Sequence, residues 1–310
     1  MKGLIRKILF GESVINEYLK ITIPGEIKEK VFLEAGTELL DVSKTHWLLC
    51  IEPVIFGVWI EAKVASLFKR QKQFNLYFNA SENVPYKSSA TLELTLFDFI
   101  EEETGILVLL KVQKSVIKHL NPFSSSLLFS RYYKKNGLTF SKFKAFVAAY
   151  SYPRQIRIVS YRNDAYYNIF PMDLLGEIES ENRFVFGLRH TNLALTKIVQ
   201  SGRIAVSDVP FHFKDVIYEL GKHHSSNPLP NHALPFKTVE SKNYGFLIPS
   251  WAENYREIKI LKTKNLGTHM LLWGESQEKT TINPPAQHLF LIHFLHYVWQ
   301  KKNTRVYPMA

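Results

Sequence analysis

The chain has 310 residues, 46% of them hydrophobic, which is enough for a real core in one large domain or two ordinary ones. Its 39 Lys and Arg against 28 Asp and Glu leave a net charge of +11, which favours anionic partners such as nucleotides, phosphates, nucleic acid or membrane surfaces without choosing among them. The basic residues fall in short groups, Lys69-Arg70, Lys134-Lys135 and Lys301-Lys302, with no long block or Arg/Gly-rich tail, and this argues against a dedicated nucleic-acid-binding protein. The one cysteine, Cys50, excludes an intramolecular disulfide and any multi-cysteine zinc or iron–sulfur site.

At the N-terminus, MKGLIRKILFGES carries Lys2, Arg6 and Lys7 and has no apolar stretch of secretory length. No run approaches the roughly 20 apolar residues of a membrane helix, so the expectation is a cytoplasmic protein with no membrane contact. Extended segments follow at Trp47 to Cys50, Val54 to Ile60, Phe74 to Phe78, Ala90 to Leu96 and Ile106 to Lys111. Cys50 lies inside the apolar HWLLCIEPVIFGVWI and reads as a small buried hydrophobe. In ATLELTLFDF, Leu92, Leu94, Leu96 and Phe97 alternate with Thr and Glu in the nearly period-two pattern of a half-buried strand. NPFSSS, residues 121–126, reads as a loop, and Thr139 or Ser141 as the cap of a helix over Phe143 to Tyr150 that Pro153 stops. The domain boundary belongs in this helix region, giving a β-rich N-terminal domain of unread role over 1–145 and a second domain over 146–310.

Beyond it, strands are expected at Ile156 to Ser160, Tyr166 to Ile169, Arg183 to Leu188, Arg203 to Val206, Tyr244 to Ile248, Glu257 to Lys262 and His269 to Glu275. Within FGLRHTNLALTKIVQSGRIAVS, residues 186–207, a helix fits Leu193 to Gln200, with Leu193, Leu195, Ile198 and Val199 on its apolar side. Thr191 or Asn192 stands at its N-cap and Gly202 at its end. Such a helix start presents backbone N–H groups beside Arg189, Thr191, Thr196 and Lys197, a setting suited to an anion. The bland alternative is an ordinary capped helix with solvated basic residues. HHSSNPLPNHALP, residues 223–235, is a long polar loop, and in PAQHLFLIHFLHYVWQKK Pro285 starts a helix that is apolar almost all round.

G-x-G-x-x-G, Walker and G-x-S-x-G signatures are absent. His223-His224, His288, His293, His296 and His269 raise a metal reading, but only His293 and His296 share a helix face and no carboxylate stands at a matching spacing, so no metal is expected and the histidines read as surface or interface groups.

Three stretches, in order and spacing, resemble the flavin reductase-like FMN-binding split barrel: YPRQIRIVSYRNDAYYNIFPMDLLGEI, NRFVFGLRHTNLALTKIVQSGRIAVSDVP and REIKILKTKNLGTHMLLWGES. The resemblance covers Tyr152 to Glu275 and implies a mainly β fold with a C-terminal split barrel. It implies an FMN site at Asn168, Ile169, Phe170, Pro171, Met172, Asp173, Arg189, His190, Thr191, Asn192, Thr196, Lys197 and His269, with the phosphate at the corner after Leu188. His269 either faces the nicotinamide side of the flavin or fills a barrel corner. The implied activity is hydride transfer from NADH or NADPH to flavin with no protein residue as acid or base, in a homodimer. The alternatives are a flavin carrier or electron-transfer protein without nicotinamide turnover, and a non-flavin module that binds polyanions. The family's short members have nothing matching residues 1–145.

Overall fold

The computed structural model describes residues 16–79, 88–134, 137–164, 166–221, 227–302 and 307. Among them the chain is mainly β, as the sequence implies. Chain order begins with β1 (Tyr18–Ile21), β2 (Val31–Ala35) and β3 (Glu38–Asp41), then β4 (His46–Ile51), β5 (Val54–Glu61), α1 (Ala62–Arg70) and β6 (Gln73–Phe78). The long β7 (Ala90–Glu102) and β8 (Gly105–Ile117) precede α2 (Pro122–Leu128), a π-helical turn (Phe129–Tyr133), α3 (Phe140–Ala149) and β9 (Arg154–Gln155). Then come β10 (Arg157–Asn163), β11 (Tyr166–Met172), β12 (Leu175–Ile178), β13 (Arg183–Arg189), α4 (Leu195–Ser201), β14 (Arg203–Asp208) and α5 (Lys214–Gly221). The last elements are β15 (Thr238–Glu240), β16 (Leu247–Pro249), β17 (Asn254–Asn265), β18 (His269–Ser276), β19 (Thr280–Thr281), β20 (Phe290–His293) and α6 (Phe294–Lys302). Two compact units result: Met1–Lys44 with Ile60–Arg154 and Leu291–Ala310, and Thr45–Trp59 with Gln155–Phe290.

In the first unit, antiparallel strands run in the order β3-β2-β6-β7-β8. The alternation read in ATLELTLFDF holds for buried Ala90, Leu92 and Leu94, then fails at Phe97, which is 40% exposed. Phe97 is the residue left unmatched at the register shift between Leu96 and Asp98, where β7 carries one residue more than β8. Residues 121–126 are not a loop: the Asn121 side chain accepts from the Ser124 N–H, Pro122 occupies the first turn, and α2 begins there. Thr139 caps α3 by accepting from Lys142 N–H at 3.2 Å. The helix expected from Pro285 starts nine residues later. Its first residues hydrogen-bond as extended chain, with His293 N–H on the Tyr150 carbonyl and Phe294 N–H on the Glu17 carbonyl, and these strand partners win over helical pattern. Within this unit Phe294, Leu295 and Val298 of α6 pack with Leu128, Tyr133, Phe143 and Val147.

In the second unit, antiparallel strands run β11-β10-β14-β17-β18-β13-β12, with β19 beside β17. Glu177 on β12 nevertheless reaches β10 and β17: its carboxylate lies 2.8 Å from the Arg157 guanidinium and 2.7 Å from that of Arg256. Arg157 also lies 2.7 Å from Asp208 on β14 and over the Phe184 ring of β13. Four strands stand between β12 and β10 in the sheet order, so only a rolled sheet brings these charges together. The four side chains are 9–18% exposed. Burial pushes the Asp208 carboxyl up, but Arg157 and His288 more than offset this and hold it below the usual carboxylate range.

Candidate functional site

The corner that follows β13 is fixed by backbone pairing. Arg189 stands opposite His269 across β13 and β18, and the His190 N–H donates to the Thr268 carbonyl at 3.1 Å. Asn192 then turns inward: it is 4% exposed, its Oδ1 accepts from the Ala194 N–H at 2.9 Å, and its carbonyl accepts from the Leu195 N–H at 3.0 Å. This local bond is what stops strand and starts helix. Helix α4 runs from Leu195 to Ser201, two residues later than the sequence pattern placed its start, and ends at Gly202 in the left-handed conformation at φ +65°. Only Leu195 and Ile198 of the expected apolar side are buried; Leu193 and Val199 are 43% and 39% exposed. Because Asn192 already uses two of the first backbone donors, the open polar groups of this corner are side chains. Arg189, Thr191 and Thr196 are exposed and Lys197 is half-buried.

Lys197 points across to β11, its Nζ 5.0 Å from the centre of the Tyr166 ring. The Tyr166 hydroxyl accepts from the Asn168 side-chain amide at 3.1 Å, and Asn168 itself is buried. Burial raises the Tyr166 phenol above its ordinary range, more than the Asn168 bond lowers it, so it stays protonated at neutral pH. Asn168, Tyr166 and Lys197 thus form one polar cluster. Ile169, Phe170 and Met172 go into the core, and Pro171 and Asp173 are half-buried beside them. A second group gathers at the β13–β18 end. His269 is 2% exposed, with Nδ1 at 2.9 Å from Thr268 Oγ1 and 3.5 Å from Cys50 Sγ. Burial, helped by the charges of Arg189 and His190, lowers the His269 imidazole to about 4, so it is neutral at pH 7.

Sequence reasoning missed the aromatic file that continues from Tyr166. Its ring centre lies 6.4 Å from Tyr161, Tyr161 lies 5.6 Å from Phe246, and Phe246 lies 5.5 Å from Tyr244, over which Arg203 places its guanidinium at 5.1 Å. Residues 244–246, expected as the start of a strand, belong instead to a turn drawn in by buried Glu257. That carboxylate accepts from Ser241 Oγ at 2.6 Å, the Tyr244 N–H at 2.6 Å and the Asn243 side-chain amide at 2.6 Å. The turn residues Ser241, Asn243 and Gly245 carried the signal, and the carboxylate that uses them is too far along the chain to be read as their partner.

His269, His293 and His296 are buried rather than superficial, and His288 pairs with Glu253 at 2.8 Å. His223 and His224 lie outside the described residues. Among the described residues no group of three or more His, Cys, Asp or Glu is placed to hold a metal ion, and no helix is long and apolar enough to cross a membrane.

No protein-family model matches the chain, and neither does the sequence of any curated protein. Solved structures align with a little under half of it. An FMN-binding protein from Thermus thermophilus is 18% identical over 45% of this chain and 82% of that one, with a TM-score of 0.39. An NADH:FAD oxidoreductase from Streptomyces globisporus is 14% identical over 49% and 88%, with a TM-score of 0.43. The styrene monooxygenase flavin reductase from Pseudomonas putida is 16% identical over 47% and 91%, with a TM-score of 0.39. The proteins that this chain resembles in structure are thus described as binding or reducing flavins.

Proposed function

We propose that the second unit binds FMN and accepts a hydride for it from NADH or NADPH. The observation that carries this reading is the Asn168–Tyr166–Lys197 cluster beside the corner that holds Arg189, Thr191 and Thr196. The donor set fits the group: two cations and two hydroxyls suit a phosphate dianion, and an amide and a phenol suit the polar edge of a planar ring. Lys197 holds the phosphate by charge, Thr191 and Thr196 orient it, and Asn168 with Tyr166 sets the ring edge. Neutral His269 adds no positive charge at pH 7 and serves as a wall backed by Cys50 and Thr268. The flavin itself supplies the redox chemistry, so the chain's task is position and electrostatics.

Replacing Lys197 or Thr191 with Ala weakens FMN binding by about 1–3 kcal/mol each, the usual worth of a hydrogen bond to a charged group. Isothermal titration of each variant checks this, and wild-type affinity in both would displace the phosphate from this corner. Adding NADH or NADPH without oxygen separates the enzyme from a carrier: bleaching of bound flavin marks a reductase, and an unchanged spectrum marks a protein that only holds or relays it.

A further inference from the structure

Three histidines of the first unit are buried where α6 meets the body of that unit: His119 after β8, His293 at the end of β20 and His296 in α6, at 5%, 0% and 0% exposure. The His119 and His296 rings meet edge to face with centres 5.7 Å apart, and Trp299 stacks on His296 at 5.8 Å and meets His119 edge to face with centres 6.1 Å apart. Their hydrogen bonds assign their protons. Ser151 Oγ donates to the Val147 carbonyl at 2.8 Å, so at 3.2 Å from His119 Nε2 it accepts, and His119 carries its proton on Nε2 with Nδ1 bare. His293 Nδ1 accepts the Leu295 N–H at 3.2 Å, and His296 Nδ1 faces the Asn79 amide nitrogen at 3.5 Å. His119 Nδ1, His293 Nε2 and His296 Nε2 are buried without a partner.

Every nitrogen that would take a second proton is therefore badly placed to hold it. On His293 and His296 that nitrogen already faces an N–H donor, so protonation sets donor against donor, and on His293 it breaks the first backbone contact of α6. On His119 it puts a new N–H into a dry interior. The groups around the cluster offer no compensating charge. Tyr18 of β1 meets His293 edge-on at 5.7 Å, and Glu17 meets α6 through its carbonyl, its carboxyl held protonated more readily by burial. At the end of α3, the Arg154 guanidinium lies over the Tyr150 ring and adds positive charge. One turn along α6 from His296, the Gln300 amide holds the buried Glu29 carboxylate at Oε1, 2.6 Å away. No carboxylate makes an ion pair with any of the three imidazoles among the described residues.

We propose that His119, His293 and His296 form an acid-released latch that holds α6 onto the first unit when all three are neutral and frees it when they are protonated. Burial drives His119 and His293 down to about 3 and His296 well below its ordinary value, and the mutual proximity of the rings adds to this for His293 and His296. The folded values lie below the unfolded value of about 6.5, so the released state binds more protons. The latch is accordingly intact above that pH and weakens steadily as the pH falls from about 6.5 toward 3. Release uncovers Phe294, Leu295 and Val298 together with the surface they cover on Leu128, Tyr133, Phe143 and Val147.

Hydrogen exchange followed by mass spectrometry on the full chain, from pH 8 to pH 4 and corrected for intrinsic rates, tests this. Peptides over Phe294–Lys302 should lose at least about tenfold protection between pH 6 and 4 while those over Ala90–Glu102 and Gly105–Ile117 keep theirs. The double variant His119→Phe, His296→Phe, which keeps ring volume without the titration, should lose less. If that variant fails to fold, the wild-type curve decides by its steepness, since the latch requires more than one proton taken up per release. Loss of α6 protection only together with β7 and β8, or with a slope of one proton or less, would overturn the proposal.

Discussion

Replacing Glu177 with alanine is expected to cost the second unit about 3–5 kcal/mol, measured as the shift of its urea unfolding free energy. The carboxylate is the bridge between Arg157 and Arg256, and its side chain is 9% exposed. Without it, Arg256 loses that partner and Arg157 keeps only Asp208, so guanidinium charge stays in a region where water cannot solvate it. The loss also removes the tie from β12 to β10 and β17, which holds the rolled sheet across strands that do not hydrogen-bond to one another. An exposed pair makes the contrast. Lys114 and Glu93 lie 2.8 Å apart on β8 and β7 with 64% and 48% of their side chains exposed, and Lys114→Ala should change stability by no more than about 1 kcal/mol. A Glu177→Ala loss as small as that would mean that the ion network does not hold the roll.

Gly187→Ala should be still less well tolerated. A Cβ at Gly187 would sit 1.7 Å from the carbonyl oxygen of Leu49, and this is backbone of β4 that no rotamer can move. Gly187 is also tied by its N–H to the Leu174 carbonyl at 2.8 Å and lies opposite Leu271 on β18, so the strand cannot shift away. Overpacking of this kind ordinarily costs about 1–3 kcal/mol, and a clash between two backbones lies at or above the top of that range. Gly202→Ala separates crowding from conformation, because its Cβ would meet only the Ile260 carbonyl oxygen, at an ordinary contact distance of 3.8 Å, and the φ of +65° alone opposes it. That variant should lose about 1–2 kcal/mol. Equal losses at the two positions, read by thermal unfolding, would show that β4 and β13 can part to admit a methyl group.

The sequence was legible where a single element decides its own state. Alternation found most strands of both units, Thr139 capped its helix and Gly202 ended α4, whereas the N-cap expected at Thr191 or Asn192 falls at Ala194. It failed where the partner lies far along the chain. Nothing in the local pattern around Arg157, Glu177, Asp208 and Arg256 marks them as partners, and only a rolled sheet makes them one network. Residues 290–293 look helical by pattern but form a strand, with the His293 N–H on the Tyr150 carbonyl. At the candidate site, Lys197 and the two threonines stood out in the corner and Asn168 in the resemblance, whereas Tyr166, which joins Lys197 to Asn168, read only as a strand residue. The expected open helix start is partly closed because Asn192, two residues before the N-cap, holds the Ala194 N–H through its side chain and the Leu195 N–H through its carbonyl.

Titrating FMN with the full-length protein, followed by the quenching of flavin fluorescence and by the absorbance bands near roughly 375 and 450 nm, tests the central claim most directly. Saturable binding of one flavin per chain is expected, with a dissociation constant below about 100 µM that rises in the Lys197→Ala variant. No saturation up to about that concentration, or saturation equal in wild type and variant, would contradict a flavin site at the corner after β13.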